Sequence, residues 1–177
     1  MSETLIPKLV TFQMQHEEFL FLGKEYSLEN PNFKEIWDDF LGTGGGEHGA
    51  YDIIRKYGVK PIQNINIWHN QNPEHETYFI GRKVEGISEA PEGFTLMEVP
   101  ASEYLVVTYE WIPENTAFNH YGEHGIGQCH AYIENAQMPN GYIQCGETQK
   151  IKQFEVSNLN TPNGGRYEFW LPIKKKV

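Results

Sequence analysis

Apolar and polar residues alternate near the start of the chain, where Val10, Phe12 and Met14 are set against Thr11, Gln13 and Gln15. A two-residue period of this kind predicts a half-buried strand, here within a long strand region from Leu9 to Leu22. Asn30-Pro31 predicts a helix start, with asparagine as cap and proline at the first helical position. Phe33, Ile36, Trp37, Phe40 and Leu41 then fall on one helical face, so Trp37 and Phe40 are expected in the core, and Gly42 ends the run. Ala50, Ile53, Ile54 and Tyr57 give a second helical face closed by Gly58. Strand patterns follow over Ile62–Trp68, Tyr78–Val84 and Phe94–Val99, and through Pro100-Ala101 into Tyr104–Trp111. A loop rich in Asn, Gly and Glu spans Ile112–Gly125. Helical spacing returns at Ile126, Cys129, His130 and Ile133 and ends at Met138-Pro139-Asn140-Gly141. Phe154-Glu155-Val156 and Arg166–Ile173 are the last strand candidates.

This order suggests an internal repeat. Glu18-Phe19-Leu20-Phe21-Leu22-Gly23-Lys24-Glu25-Tyr26 and Glu103-Tyr104-Leu105-Val106-Val107-Thr108-Tyr109-Glu110-Trp111 share a pattern. Each is followed by a helical segment and then by two strands. Two similar halves in one sheet would leave a groove where they meet, the usual place for a small-molecule site.

Composition narrows the function classes. The 177 residues fit one domain. A formal charge of −10 disfavours nucleic-acid binding, which draws on Lys and Arg to neutralise phosphates. An acidic surface suits cationic ligands or basic partners instead. Ten Phe, ten Tyr and four Trp can fill a core or line a pocket for planar or cationic molecules. Cys129 and Cys145 are too few for a disulfide framework. No apolar run spans a bilayer and the start lacks a signal-peptide core, so a soluble cytoplasmic protein is expected.

Most motif chemistry is weakly anchored. His120-Tyr121-Gly122-Glu123-His124 fits H-x-x-E-H, but Gly122 and Gly125 disfavour the rigid helix a zinc centre needs. Neither a metal nor a cofactor is expected. Gly42-Thr43-Gly44-Gly45-Gly46 lacks the lysine and hydroxyl of a phosphate loop, and Lys174-Lys175-Lys176 reads as a solvated tail. What remains is carboxylate beside aromatic: Glu155 after Phe154, and Glu168 ahead of Trp170. A carboxylate in an aromatic groove holds a cation or acts as general acid or base, and the bland alternative is a solvent-facing strand glutamate. Trp68, Tyr78, Trp111 and Trp170 are each open to a core or a pocket role.

Several segments, in order, resemble one family. Phe33-Lys34-Glu35-Ile36-Trp37-Asp38-Asp39-Phe40, Tyr57-Gly58-Val59, Tyr78-Phe79-Ile80-Gly81-Arg82-Lys83-Val84 and Pro91-Glu92-Gly93-Phe94 come first. Val99-Pro100-Ala101-Ser102-Glu103-Tyr104, Phe154-Glu155 and Tyr167-Glu168-Phe169-Trp170-Leu171-Pro172-Ile173-Lys174 follow. The set is similar to the GyrI-like small-molecule-binding domain, also seen as the effector-binding domain of bacterial transcription regulators. The resemblance implies an α+β fold of two strand-helix-strand-strand repeats, about 8–90 and 94–177, within a single domain over 1–177. They would form one antiparallel sheet with helices on one face and a ligand cleft at the pseudo-twofold axis. It implies a hydrophobic or planar, often cationic, ligand with Glu155 as the cleft carboxylate. Phe154, Trp68, Tyr78, Tyr109, Trp111 and Trp170 are the candidate binding residues beside it. The family's Phe-Glu-x-Tyr reads Phe154-Glu155-Val156-Ser157 here, without the tyrosine. With strand pattern from Leu9, the chain is expected to be a standalone member without a helix-turn-helix domain. Similar standalone members open strained rings of DNA-alkylating natural products, which would make Glu155 an acid/base, with Glu98, Glu110 or Tyr109 orienting water. Others modulate DNA gyrase, a possible protein partner.

Overall fold

The computed structural model describes residues 10–42, 49–59, 64–69, 76–111, 133, 135–146, 150–161 and 164–177. Its elements run β1 (Val10–His16), β2 (Phe19–Ser27), α1 (Phe33–Leu41), α2 (Ala50–Ile54), β3 (Asn64–His69) and β4 (Thr77–Val84). Then come β5 (Thr95–Val99), β6 (Ser102–Trp111), β7 (Tyr142–Gln144), β8 (Ile151–Thr161) and β9 (Gly164–Lys175). The expected N-terminal strand region is two strands, broken where the adjacent exposed glutamates Glu17 and Glu18 interrupt the alternation. The cap of α1 is Asn32 rather than Asn30. Its side chain accepts from the Glu35 backbone N–H at 3.4 Å, while Asn30 turns the chain at φ 53°. Gly42 closes α1 at φ 90°, a backbone that a residue with a Cβ adopts at a cost. Gly58 does not cap α2, which ends at Ile54 with Arg55 as its C-cap; it bridges to Val84 instead. Short β7, pairing with β9, carried no sequence signal. The glycine run over 43–46, the loop 112–125 and the helical spacing from Ile126 to His130 lie outside the described residues.

All pairings are antiparallel, in the order β1-β6-β9-β8-β3-β4-β2-β5. Exchange β1 with β5, β2 with β6, β3 with β8 and β4 with β9, and the order reads the same backwards. A pseudo-twofold axis therefore passes between β3 and β8. The opening strand of each half pairs into the other half, β1 on β6 and β5 on β2.

The same order forces the sheet to coil. β1 and β2 lie six strands apart, about 29 Å in a flat sheet, yet the three Cα steps from His16 to Phe19 reach at most about 11 Å. The inner face of the coil is one apolar cluster drawn from both halves, including Phe19, Phe21, Phe79, Tyr104, Phe154 and Trp170. Rings from distant strands meet there: Phe19 and Phe154 at 6.4 Å, Tyr104 and Phe154 at 5.4 Å. Close approach of β2 and β4 needs glycine at both opposed positions, Gly23 and Gly81. A Cβ at Gly81 would sit 2.0 Å from the Leu22 carbonyl oxygen.

The outer face carries two further clusters. In the first half α1 and α2 bring Ile36, Phe40 and Ile54 down on Leu22, Tyr78 and Ile80. In the second, Ile133, Ala136, Met138 and Tyr142 cover Leu105, Val107, Phe169 and Leu171. The seam between these clusters lies over the β3–β8 pair.

Candidate functional site

Glu155 stands in that seam. Its neighbours on β8, Phe154 and Val156, are fully buried in the inner cluster. Alternation of side chains along a strand therefore places Glu155 on the outer face, where it is half-buried. One row across the sheet reads Val107, Phe169, Glu155, Asn66, Ile80 in register. The next reads Gln153, Trp68, Tyr78, Tyr26. The polar positions thus sit at the axis, between flanks that are apolar in the first row and aromatic in the second.

Tyr78 and Gln153 both address the carboxylate. The Tyr78 hydroxyl donates to Oε2 at 3.2 Å, and the Gln153 amide donates to Oε1 at 3.4 Å. An ionised carboxylate accepts only, so both donors match its anionic form. Behind them Tyr78, 3% exposed, is met edge-on by Phe33 at 5.8 Å and Trp37 at 6.4 Å, both from α1. Phe33 itself is 41% exposed, so an accessible ring flanks the group that approaches the acid.

A polar clamp holds α1 over this row. Lys24 and the Tyr26 hydroxyl, both on β2, donate to Asp39 Oδ2 at 2.8 and 2.6 Å. Burial alone would raise the Asp39 carboxyl, but these two hydrogen bonds outweigh it and hold it below the usual carboxylate range. Burial, and then the bond to Asp39, push the Tyr26 hydroxyl far above the usual tyrosine range. On the other side of α1, Arg82 lies 4.5 Å from the centre of the Tyr51 ring and donates to its hydroxyl, which ties α2 to β4.

Of the residues expected at the site, Glu155 and Tyr78 come together. Phe154 and Trp170 lie on the opposite, inner face, packed on each other at 5.7 Å. Trp68 occupies the register position between Gln153 and Tyr78, and Tyr109 and Trp111 lie in β6 opposite Tyr167 and Gly165. The side chains of these three fall outside the described set, as do His120, Glu123 and His124. Among the described residues no cluster of three His, Cys, Asp or Glu assembles, and no helix is long and apolar enough to cross a membrane. Gln153, Phe33 and the clamp were not anticipated. For Gln153 a signal existed, since a residue two positions before Glu155 shares its face of a strand.

The family model described as Cass2, integron-associated effector binding protein, matches residues 14–173. No curated protein matches the sequence significantly. Among solved structures, SAV2435 bound to tetraphenylphosphonium aligns with TM-score 0.65 at 12% identity, covering 93% of this chain and 94% of that one. The EcmrR C-terminal domain aligns with TM-score 0.55 at 13% identity, over 97% and 100% of the two chains. An integron cassette protein from the mobile metagenome of Vibrio cholerae gives 0.53 at 10%, over 94% and 99%. At such identities the likeness is one of fold.

Proposed function

The chain belongs to the Cass2 family of GyrI-like, integron-associated effector-binding proteins, and we propose that it binds a hydrophobic or planar cation in the outer-face seam, with Glu155 as counter-charge. The observation that carries this reading is a half-buried carboxylate at the pseudo-twofold axis, addressed by Gln153 and by Tyr78, whose own ring is met by the exposed ring of Phe33. A unit charge about 4 Å from a carboxylate in a medium of effective dielectric near 20 gains about 4 kcal/mol. Each aromatic face presented to it adds about 0.5 to 2 kcal/mol. A neutral apolar guest would gain only the contact area. The tetraphenylphosphonium on the structural relative SAV2435 gives the reading a convenient probe.

The test is a tryptophan-fluorescence titration with tetraphenylphosphonium on wild type and Glu155→Gln, with thermal melts alongside. Losing one partner of a desolvated charge pair costs about 2 kcal/mol or more, so the variant should bind at least about 30-fold more weakly. Its melting temperature without ligand should stay within a few degrees. Equal affinity in the two proteins would sink the proposal.

A further inference from the structure

We infer that Gln153 sets the ligand class, favouring cations that carry N–H donors, such as ammonium, amidinium or guanidinium groups, over fully substituted ones. The inference rests on the reading of Glu155 as a cation site and goes a step further, from charge to hydrogen-bonding pattern. Gln153 and Glu155 lie two residues apart on β8, about 7 Å along the strand, and Gln153 Nε2 is 3.4 Å from Glu155 Oε1. The orientation of that amide follows from chemistry. A carboxylate only accepts, so the NH2 group must face it and the amide carbonyl must face away. In register, Trp68 and then Tyr78 follow Gln153 across the sheet.

A guest large enough to span both residues would meet two acceptors, the charged carboxylate of Glu155 and, beyond the amide NH2 that faces it, the neutral carbonyl of Gln153. A cation with several N–H bonds can satisfy both. A phosphonium or tetraalkylammonium ion satisfies neither by hydrogen bonding and takes water from the amide carbonyl without replacing its hydrogen bond, which is unfavourable. The site thus discriminates by what it leaves unpaired, the same asymmetry that lets a polar pocket reject an analogue lacking the matching donor.

The experiment compares two probes, tetraphenylphosphonium and the aromatic diamidine 4′,6-diamidino-2-phenylindole, titrated calorimetrically against wild type and Gln153→Met. Methionine keeps the length and removes both amide groups. Affinity for the diamidine should fall about tenfold, while affinity for the phosphonium should hold or rise a few-fold. Gln153→Asn, which keeps a shorter amide, should recover part of the selectivity. Should the methionine variant not fold, Gln153→Leu carries the same comparison. Equal changes for both probes, or none for either, overturn the inference while leaving Glu155 as a cation site. Failure of wild type to bind either probe removes that site, and this inference with it.

Discussion

Two carboxylates one residue step apart across β8 and β9 have opposite fates. Val156 pairs with Glu168 in register and Glu155 with Phe169, so the two acids point to opposite faces of one sheet. Each accepts from an aromatic side chain: Glu168 from Trp170 Nε1 at 2.9 Å, Glu155 from the Tyr78 hydroxyl at 3.2 Å. Glu168 is 7% exposed and its donor 5%, inside the coil, whereas Glu155 is half-buried and its donor Tyr78 is packed against the exposed ring of Phe33. A carboxylate and an aromatic donor are thus not in themselves a binding motif. Where packing closes over both, the pair serves the fold; where one side stays open, the same chemistry can receive a guest.

The hardest blow to that contrast would come from Phe154, the sequence neighbour of Glu155 on the inner face. Truncating a fully buried phenylalanine costs about 4 kcal/mol, so Phe154→Ala should lower the melting temperature by roughly 12 °C. The folded fraction should still bind tetraphenylphosphonium with near wild-type affinity. A stable Phe154→Ala protein that had lost ligand would place Phe154 at the site after all. Next in size is Glu168→Ala, which leaves a buried indole N–H without its acceptor. The expected loss is about 2 to 3 kcal/mol by denaturant titration, with ligand affinity unchanged. Loss of binding without loss of stability would erase the distinction between the two acids.

The sequence carried much of this arrangement and missed part of it for physical reasons. Alternation and β propensity marked the long strands, and the likeness of 18–26 to 103–111 anticipated the palindromic strand order. Exchange of β1 and β5 between halves was not legible, because pairing partners far apart in the chain leave no local periodicity. The two-residue connectors Glu17-Glu18 and Pro100-Ala101 were its only trace. Glu155 and Tyr78 were chosen by residue type and resemblance, and the structure brings them into contact. Phe154 was chosen as the neighbour of Glu155, and adjacency along a strand means opposite faces; Trp170, named by the same resemblance as Tyr78, packs on Phe154 on the inner face. The clamp of Lys24, Tyr26 and Asp39 joins a strand to a helix fifteen residues on, a contact that only tertiary packing creates.

That clamp supplies a third carboxylate, more exposed than the other two, and the smallest expected effect. The Asp39 side chain is 48% exposed and that of Lys24 34%, so solvent screens the pair and its worth is about 0.5 kcal/mol. Asp39→Asn keeps an acceptor for Tyr26 but loses the charge, and should melt only one or two degrees below wild type at pH 7. The sign of the pH dependence follows from the direction of the shift. The folded carboxyl lies below its ordinary 3.8, so its contribution is complete above that value and is lost as pH falls through the folded one. Melts at low salt should show the gap between wild type and Asp39→Asn constant well above pH 3.8 and narrowing as the pH falls below it. A gap that does not narrow at all below pH 3.8 would mean the charge is not what holds α1. The weak effect on stability should come with a measurable one on binding, because α1 carries Phe33 and Trp37 against Tyr78. An exposed ion pair that contributes little to the fold can still fix the helix that packs on Tyr78, the donor to Glu155.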